Sequence, residues 1–240
     1  MVRAWLPGRS AQPWLDGAVT VHNLAARLPD IPTVRRLSQS LAMLDAILCP
    51  QWEYRYYSYD AHWAPHEHLA SMRDGSGDEY SIVFSPAGAF IRGFAHESPM
   101  TPYGEQPPRH WPGLVDDVPV AFHHCVDEPA FSHDGILAAT VCLWRQIDDD
   151  RWHTGSVDAP AGREDPDGSG ELFALLADGS AEAYAAYAKD YFEVPVELDA
   201  VRAIFDHEPL SARIVGALSE GTTVADLAED CAQVGYPNRR

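Results

Sequence analysis

A chain of 240 residues can bury one substantial hydrophobic core, and its 46% hydrophobic and 22% charged residues exclude wholesale disorder. The formal net charge of −19 at pH 7 disfavours nucleic acid and anionic membrane surfaces as partners and favours a basic protein. No apolar run approaches the roughly 20 residues that cross a bilayer, and residues 1–10 carry no signal-peptide pattern, so we expect a cytoplasmic protein without a membrane partner.

Negative charge is concentrated in the second half of the chain. Residues 121–240 contain 23 acidic and 8 basic residues, a net charge of −15, whereas residues 1–120 contain 13 and 9. A field of this strength steers a basic partner toward the molecule. Acidity that only keeps an abundant protein soluble would give the same count, so this interpretation stays open beside the first.

The numbers and positions of cysteine and lysine residues indicate the redox state of the thiols and the kind of genome that encodes the chain. The four cysteines are far apart and form no CxxC pair, so in a cytoplasmic chain we expect buried free thiols. Lys189 is the only lysine beside 16 arginines, which we interpret as the codon usage of a GC-rich bacterial genome.

The N-terminal third of the chain predicts an arm followed by a helix. Residues 1–31, with prolines at 7, 13 and 29, predict an irregular N-terminal arm. A helix is predicted over residues 32–48, because proline suits the first helical turn and leucine or valine recurs at steps of three and four from Val34 to Leu48. Off this apolar stripe lie Arg35, Arg36, Gln39 and Asp45.

Four segments then predict an antiparallel meander. Residues 52–60, 69–73, 79–85 and 89–94 are rich in aromatic and β-branched side chains, and glycine-containing turns separate the last three. Residues 136–146 and 151–157 predict a further hairpin across residues 148–150. Asp-Gly-Ser turns recur at positions 74, 167 and 178 without a fixed period.

From residue 171 onward the apolar period becomes helical. Ser180 is a candidate N-cap for a helix ending near Tyr191, and Thr223 is a candidate N-cap for the last helix. Strands first and helices afterwards predict an α+β fold with an N-terminal helix, an antiparallel sheet meander and C-terminal helices. We expect residues 32–160 to form the helix and sheet core, and residues 161–240 to form a helical region packed on the same domain.

Histidines provide the candidate metal site. His66 and His68, two apart on a predicted strand, would face the same side and could bind one divalent transition metal ion. His96 or Glu67 is the candidate third ligand, and His62 is a further candidate. This set supports an alternative function, a metal-dependent enzyme of hydrolase type, whereas exposed histidines in a loop are the plainer interpretation.

Two other groups are candidate partner contacts. Asp148, Asp149 and Asp150 lie at a predicted hairpin tip, where they could contact a basic protein or form a solvated turn. Tyr57 and Tyr59 belong to a tyrosine-rich strand, whose outer face would form a protein-binding patch unless helices cover it.

No motif assigns a chemistry. The sequence contains no P-loop, no GxGxxG, no GxSxG and no HExxH pattern. Cys125 follows two histidines, but no pattern supplies an oriented base or oxyanion donors for a thiolate nucleophile. The sequence therefore favours a binding protein without a cofactor over an enzyme.

Over residues 30–160 the order of elements resembles bacterial immunity proteins of the SUKH-type superfamily. Leu28-Pro29 stands before the predicted first helix, as a Leu-Pro pair does in that superfamily, although the aromatic residues that usually follow are absent. The resemblance implies a non-enzymatic protein that caps a toxin domain, often a basic nuclease, by charge and shape. Our prediction from the sequence is therefore an acidic cytoplasmic protein that binds a basic toxin or nuclease.

Overall fold

The computed structural model describes residues 18–193 and 195–237. Residues 1–17 of the expected arm lie outside this described part. Within the rest of the arm, Val21–Arg27 form helix α1 rather than irregular chain. The Asn23 side chain accepts a hydrogen bond from the Thr20 backbone N–H (2.9 Å), which caps the helix start.

Helix α2 (Ile31–Leu48) is the centre of the molecule. Asp30 caps it by accepting a hydrogen bond from the Thr33 N–H (3.0 Å), and Pro32 occupies the first turn, so the predicted helix over 32–48 is confirmed. Residues 38–47 are buried on every side, because the sheet covers one face of the helix and C-terminal helices cover the other. Two buried polar side chains on α2 donate hydrogen bonds to those helices: Gln39 to the Val234 carbonyl (2.9 Å) and Ser40 to the Ile204 carbonyl (3.1 Å).

The main sheet is antiparallel throughout, with the order β1-β2-β3-β4-β7. Its strands are β1 (Tyr57–Ala64), β2 (Glu67–Arg73), β3 (Glu79–Ser85), β4 (Gly88–Phe94) and β7 (Val141–Gln146). The predicted meander and the α+β class are confirmed. The first strand begins at Tyr57 instead of residue 52, because Trp52–Tyr54 form a 3₁₀ turn.

Register places alternate residues on the two faces of the sheet. Tyr59 pairs with Ala70 and faces α2, where its hydroxyl accepts a hydrogen bond from Arg35 Nε (3.1 Å). Ser58 pairs with Ser71 on the opposite face. Residues 95–140 cover that opposite face over β3, β4 and β7, where Phe122 packs 6.2 Å from Phe90 between ring centroids. Over β1 and β2 the same face stays partly open.

Of the predicted hairpin, residues 136–146 paired with residues 151–157, the structure keeps only strand β7 and one antiparallel bridge. Ile136–Leu137 form β6, which pairs with β5 (Ser132–His133), and α3 (His123–Val126) precedes them. Residues 151–157 keep one bridge to β7, between Trp144 and His153. The segment leaves the sheet because the Trp152 indole N–H donates to the Pro29 carbonyl (2.6 Å), and because Gly155 lies so close to Gly113 that a Cβ there would be 1.8 Å from its carbonyl oxygen.

The C-terminal region is helical, as predicted. Its helices are α4 (Ser169–Leu172), α5 (Ala174–Asp178), α6 (Ala181–Tyr191), α7 (Leu198–Phe205), α8 (Ala212–Leu218) and α9 (Ala228–Val234). Ser180 caps α6 by accepting a hydrogen bond from the Ala183 N–H (3.2 Å), which confirms that prediction. Thr223 does not cap α9; its hydroxyl bonds to Asp226 (2.6 Å) in a turn before the helix. Side chains from α2, the sheet and these helices belong to one hydrophobic cluster.

Within the described ranges, no helix has the length and apolar character needed to cross a bilayer.

Candidate functional site

The predicted histidine ligands do not converge. His66 has a φ of +68° in the turn that joins β1 to β2, so it lies outside the strand and does not alternate with His68. His62 and His66 are both exposed. The geometric basis of the proposed pair, two histidines on one strand face, is therefore wrong.

His68 is contacted by a cation. The Nη2 atom of Arg35 lies 3.0 Å from its Nε2 and 3.1 Å from its Nδ1. Burial lowers the pKa of His68, and the charges of Arg35 and His62 lower it further. A metal cation bound to this ring would meet the same repulsion from the guanidinium.

His96 lies at the other end of the sheet. His68 pairs with Phe84 on β3, whereas His96 follows Phe94, which pairs with Glu79. Five residues along β3 separate these pairs, roughly 17 Å at the usual rise of a strand. Among the residues that the structure describes, no three His, Cys, Asp or Glu side chains form a group that could hold a metal ion.

We expect protein purified without a histidine tag to contain no stoichiometric zinc, iron or manganese. The scattered histidines and the Arg35 cation are the physical reason. Elemental analysis by mass spectrometry, calibrated against protein concentration, measures this directly. One metal ion per chain, lost together with an activity in the His68→Ala variant, would restore the metal-dependent alternative.

One of the three aspartates at residues 148–150, which follow β7, makes contacts within the protein itself. Asp149 accepts a hydrogen bond from the Gln146 N–H (2.8 Å), and its carboxylate lies 3.6 Å from His153 Nε2. Asp148 and Asp150 are exposed, and so is Ile147 between strand and tip (63%). Two of the three predicted contact carboxylates are thus accessible to a partner.

The predicted contacts at Tyr57 and Tyr59 require correction. Both side chains are buried, 7% and 3% exposed, because they share the face of β1 that packs on α2. The accessible aromatic residues of this segment are instead Trp52 (52% exposed) and Tyr54 (67%) in the preceding 3₁₀ turn. The sequence predicts alternating inward and outward side chains from residue 52 onward, but the strand begins only at Tyr57.

Asp45, which lies off the apolar stripe of α2, is fully buried among tyrosines. Its carboxylate accepts hydrogen bonds from the backbone N–H groups of Tyr56 and Tyr57 (both 2.8 Å) and from the Tyr184 hydroxyl (2.9 Å). Burial raises its pKa to about 7 despite these donors. This carboxyl fixes the start of β1 against α2 and α6, so its role is in the fold.

One concave surface gathers carboxylates at the end of the sheet where β2 turns into β3. We call it the acidic cleft and define it by Asp78, His96, Glu97, Asp165 and Glu171. Its volume is about 520 Å³, and Arg163 is the only arginine or lysine in its lining. Turns at residues 74–78 and 165–170 form two of its walls, so the fold brings together two of the Asp-Gly-Ser repeats seen in the sequence.

Two carboxyl groups of the acidic cleft, Glu171 and Asp165, have raised pKa values. Desolvation raises the pKa of Glu171 to about 7, and the charges of Asp78, Asp165, Asp74 and Glu97 add to this in that order. Burial also raises the pKa of Asp165 to about 6, although this side chain accepts hydrogen bonds from the Gly170 and Glu171 N–H groups. A cation entering the cleft would relieve this repulsion.

His96 completes the acidic cleft as its proton-sensitive base. Its Nδ1 lies 2.7 Å from Asp78 Oδ1, and this hydrogen bond raises the pKa of His96. Its Nε2 lies 3.9 Å from Glu97 Oε1, so protonated His96 faces both Asp78 and Glu97 and leaves Asp165 and Glu171 for a partner.

Cys125 is not placed as a nucleophile. His124 Nε2 lies 3.3 Å from the Cys125 sulfur and 2.9 Å from Glu67 Oε1, so a single nitrogen faces both groups and cannot relay a proton between them. Burial raises the pKa of the Cys125 thiol to about 12. The structure shows Cys49, Cys125, Cys142 and Cys231 as free thiols.

Comparison of the chain with known protein families, with curated proteins and with solved structures finds no match.

Proposed function

We propose that this acidic protein binds a basic protein and that the acidic cleft is the docking site. The observation that carries the proposal is the convergence of Asp78, Glu97 and Asp165 around Glu171 in one cleft, where their charges add to the raised pKa of Glu171. A partner's lysine or arginine would remove a repulsion that the free protein keeps. Binding thus has a local driving force in addition to the net charge.

Exposed carboxylates of the C-terminal helices support the same partner class at longer range. Within the described residues, no basic side chain lies at ion-pair distance from the following exposed acidic residues: Glu193, Glu197, Asp206, Glu220 and Glu229. Such a surface raises the local concentration of a basic protein and its rate of encounter.

Neutralisation of a basic toxin or nuclease in the bacterial cytoplasm is the specific case that we propose. The order of a helix, an antiparallel meander and later helices, which resembles SUKH-type immunity proteins, supports it. In this role the protein acts by covering the partner, and it needs neither a cofactor nor a catalytic residue.

Capture at low salt tests the proposed function. We expect the immobilised full-length protein to retain a basic protein from lysate of the source organism in stoichiometric amount and to release it at high salt. With the isolated partner, the association rate constant should fall roughly tenfold or more between about 50 and about 300 mM salt, because screening removes long-range steering. An association rate constant that ignores salt would contradict the proposal.

A further inference from the structure

Two cavities lie side by side where the 3₁₀ turn Trp52–Tyr54 meets the end of β2. Their volumes are about 220 and about 230 Å³, and both are lined by Trp52, Arg55, Ser58 and Arg73. We call the shared region the Trp52–Arg73 groove. It borders the open part of the sheet face, opposite α2, and it is separate from the acidic cleft.

Arg73 is a positioned cation without a carboxylate partner. Its guanidinium carbon lies 5.7 Å from the centroid of the Trp52 ring, a cation–π contact that holds the side chain over the indole. No carboxylate of the described chain lies within ion-pair distance of it. In a sequence with 36 acidic residues and 17 arginines and lysines, such an arginine has unused hydrogen-bond donors although acids are abundant.

Two of the carboxylates that line the groove, Asp74 and Asp230, are engaged elsewhere. Asp74 accepts the backbone N–H groups of Ser76, Gly77 and Asp78 in its own turn. Asp230 forms an ion pair with Arg55, whose side chain is 10% exposed. Arg73 therefore keeps its positive charge for a ligand even in a protein of strongly negative net charge.

The rest of the groove supplies an aromatic surface and hydroxyls. Trp52 is half exposed, although large aromatic side chains are usually covered in a folded chain. The hydroxyls of Ser58 and Ser71 lie 2.8 Å apart on neighbouring strands and can each accept or donate a hydrogen bond toward the groove.

We propose that the Trp52–Arg73 groove binds a small planar organic anion, an aromatic ring that carries a carboxylate. The planar guanidinium of Arg73 donates two N–H groups to the carboxylate, and the ring packs on the Trp52 indole. The cavity volumes match a one- or two-ring molecule rather than a folded partner. This inference does not rest on the proposed binding of a basic protein.

The net charge explains why the anion has to be small and directly in contact with Arg73. At physiological salt the repulsive field of distant carboxylates is screened over roughly 8 Å, whereas a contact with the guanidinium is not. Glu53 is an exposed carboxylate in the lining of the groove, so an extended polyanion would meet its repulsion.

Three probes with one ring system and different charges test the proposal. Isothermal titration of the full-length protein is carried out with indole-3-acetate (anion), indole-3-acetamide (neutral) and tryptamine (cation). We expect indole-3-acetate to bind about tenfold or more tightly than either of the others, the effect of one charge-assisted bidentate contact. Equal affinity for the three probes, or a preference for tryptamine, overturns the proposal.

Variants locate the binding. Arg73→Gln should abolish the preference for indole-3-acetate. Arg73→Lys should keep only part of that preference, because lysine lacks the planar guanidinium fork. Trp52→Ala should lower the affinity for all three probes. Arg151→Gln, which removes an exposed arginine from a different cavity, is the matched control and should leave the affinities unchanged. Retained anion preference in Arg73→Gln would place the binding elsewhere and overturn the assignment.

Discussion

Replacing Asp45 with alanine should lower the free energy of unfolding by about 3–5 kcal/mol at about pH 5. The substitution leaves two backbone N–H groups and the Tyr184 hydroxyl without their acceptor in a fully buried position, and it opens a cavity between α2, β1 and α6. Urea denaturation followed by circular dichroism measures the change. A loss below about 1 kcal/mol would mean that these donors find other acceptors.

Asp45→Asn and Tyr184→Phe are the controls. The amide keeps one acceptor oxygen and the side-chain volume, and the phenylalanine removes a single donor, so each should cost about 1 kcal/mol. Both proteins should keep the native near-ultraviolet spectrum. A loss in either variant as large as that of Asp45→Ala would show that packing, not the shared acceptor, holds this region together.

The pH dependence of the same variants has a definite sign. The pKa of Asp45 is about 7 in the folded protein and near 3.8 when unfolded, so the folded state binds this proton more tightly. The contribution of Asp45 to stability is complete below about pH 4 and is lost as the pH rises to about 7. The stability difference between the wild type and Asp45→Ala should therefore be smaller at about pH 8 than at about pH 5.

Asp45 also illustrates which part of the fold the sequence does not predict. Steps of three and four along α2 identified Val34, Leu41 and Leu44 as core residues, and all three are buried. An apolar repeat with helical spacing predicts that one face of a helix is buried and that the opposite face is exposed. Helix α2 is instead packed on both faces. Polar side chains on the second surface are satisfied by C-terminal helices more than 100 residues away in the chain, and no local pattern encodes those partners.

The strands illustrate the opposite case. Residues 79–85 were predicted as they occur in β3, because β-branched and aromatic residues between two turns encode a strand locally. At the start of β1 the same composition continues through a 3₁₀ turn, so the inward and outward tyrosines could not be assigned. The acidic cleft needs the approach of turns about 90 residues apart, and the repeated Asp-Gly-Ser sequence marks those turns without indicating that they meet.

Neutralising the acidic cleft should slow partner association and stabilise the free protein at the same time. In the double variant Glu97→Gln, Glu171→Gln, we expect the association rate constant for the basic partner to fall roughly tenfold at low salt, because two charges that attract it are removed. The free energy of unfolding at about pH 8 should rise, because repulsion among the cleft carboxylates is relieved. Replacing residues with a purely structural role would not lower the association rate constant and raise the free energy of unfolding together.

A double variant elsewhere on the surface separates the cleft from net charge. Glu193→Gln, Glu220→Gln removes the same charge from the exposed acidic surface that attracts the partner at longer range. We expect it to slow association less than the cleft variant does, by about twofold, because these carboxylates do not contact the bound partner. Equal slowing by the two variants would mean that total charge, not the cleft, attracts the partner.

The pH profile of association identifies Glu171 within the cleft. Its raised pKa of about 7 means that it is ionised at about pH 8 and mostly protonated at about pH 6, so the association rate constant for the wild type should fall as the pH is lowered through this range. Protonation of His96 beside Asp78 acts in the same direction. Glu171→Gln alone should flatten the profile and leave the parts that His96 and Asp165 contribute, of which His96→Gln removes the first. The carboxylates that attract the partner also repel one another. The same charges therefore increase the affinity of the cleft for a basic protein and lower the free energy of unfolding of the unbound protein.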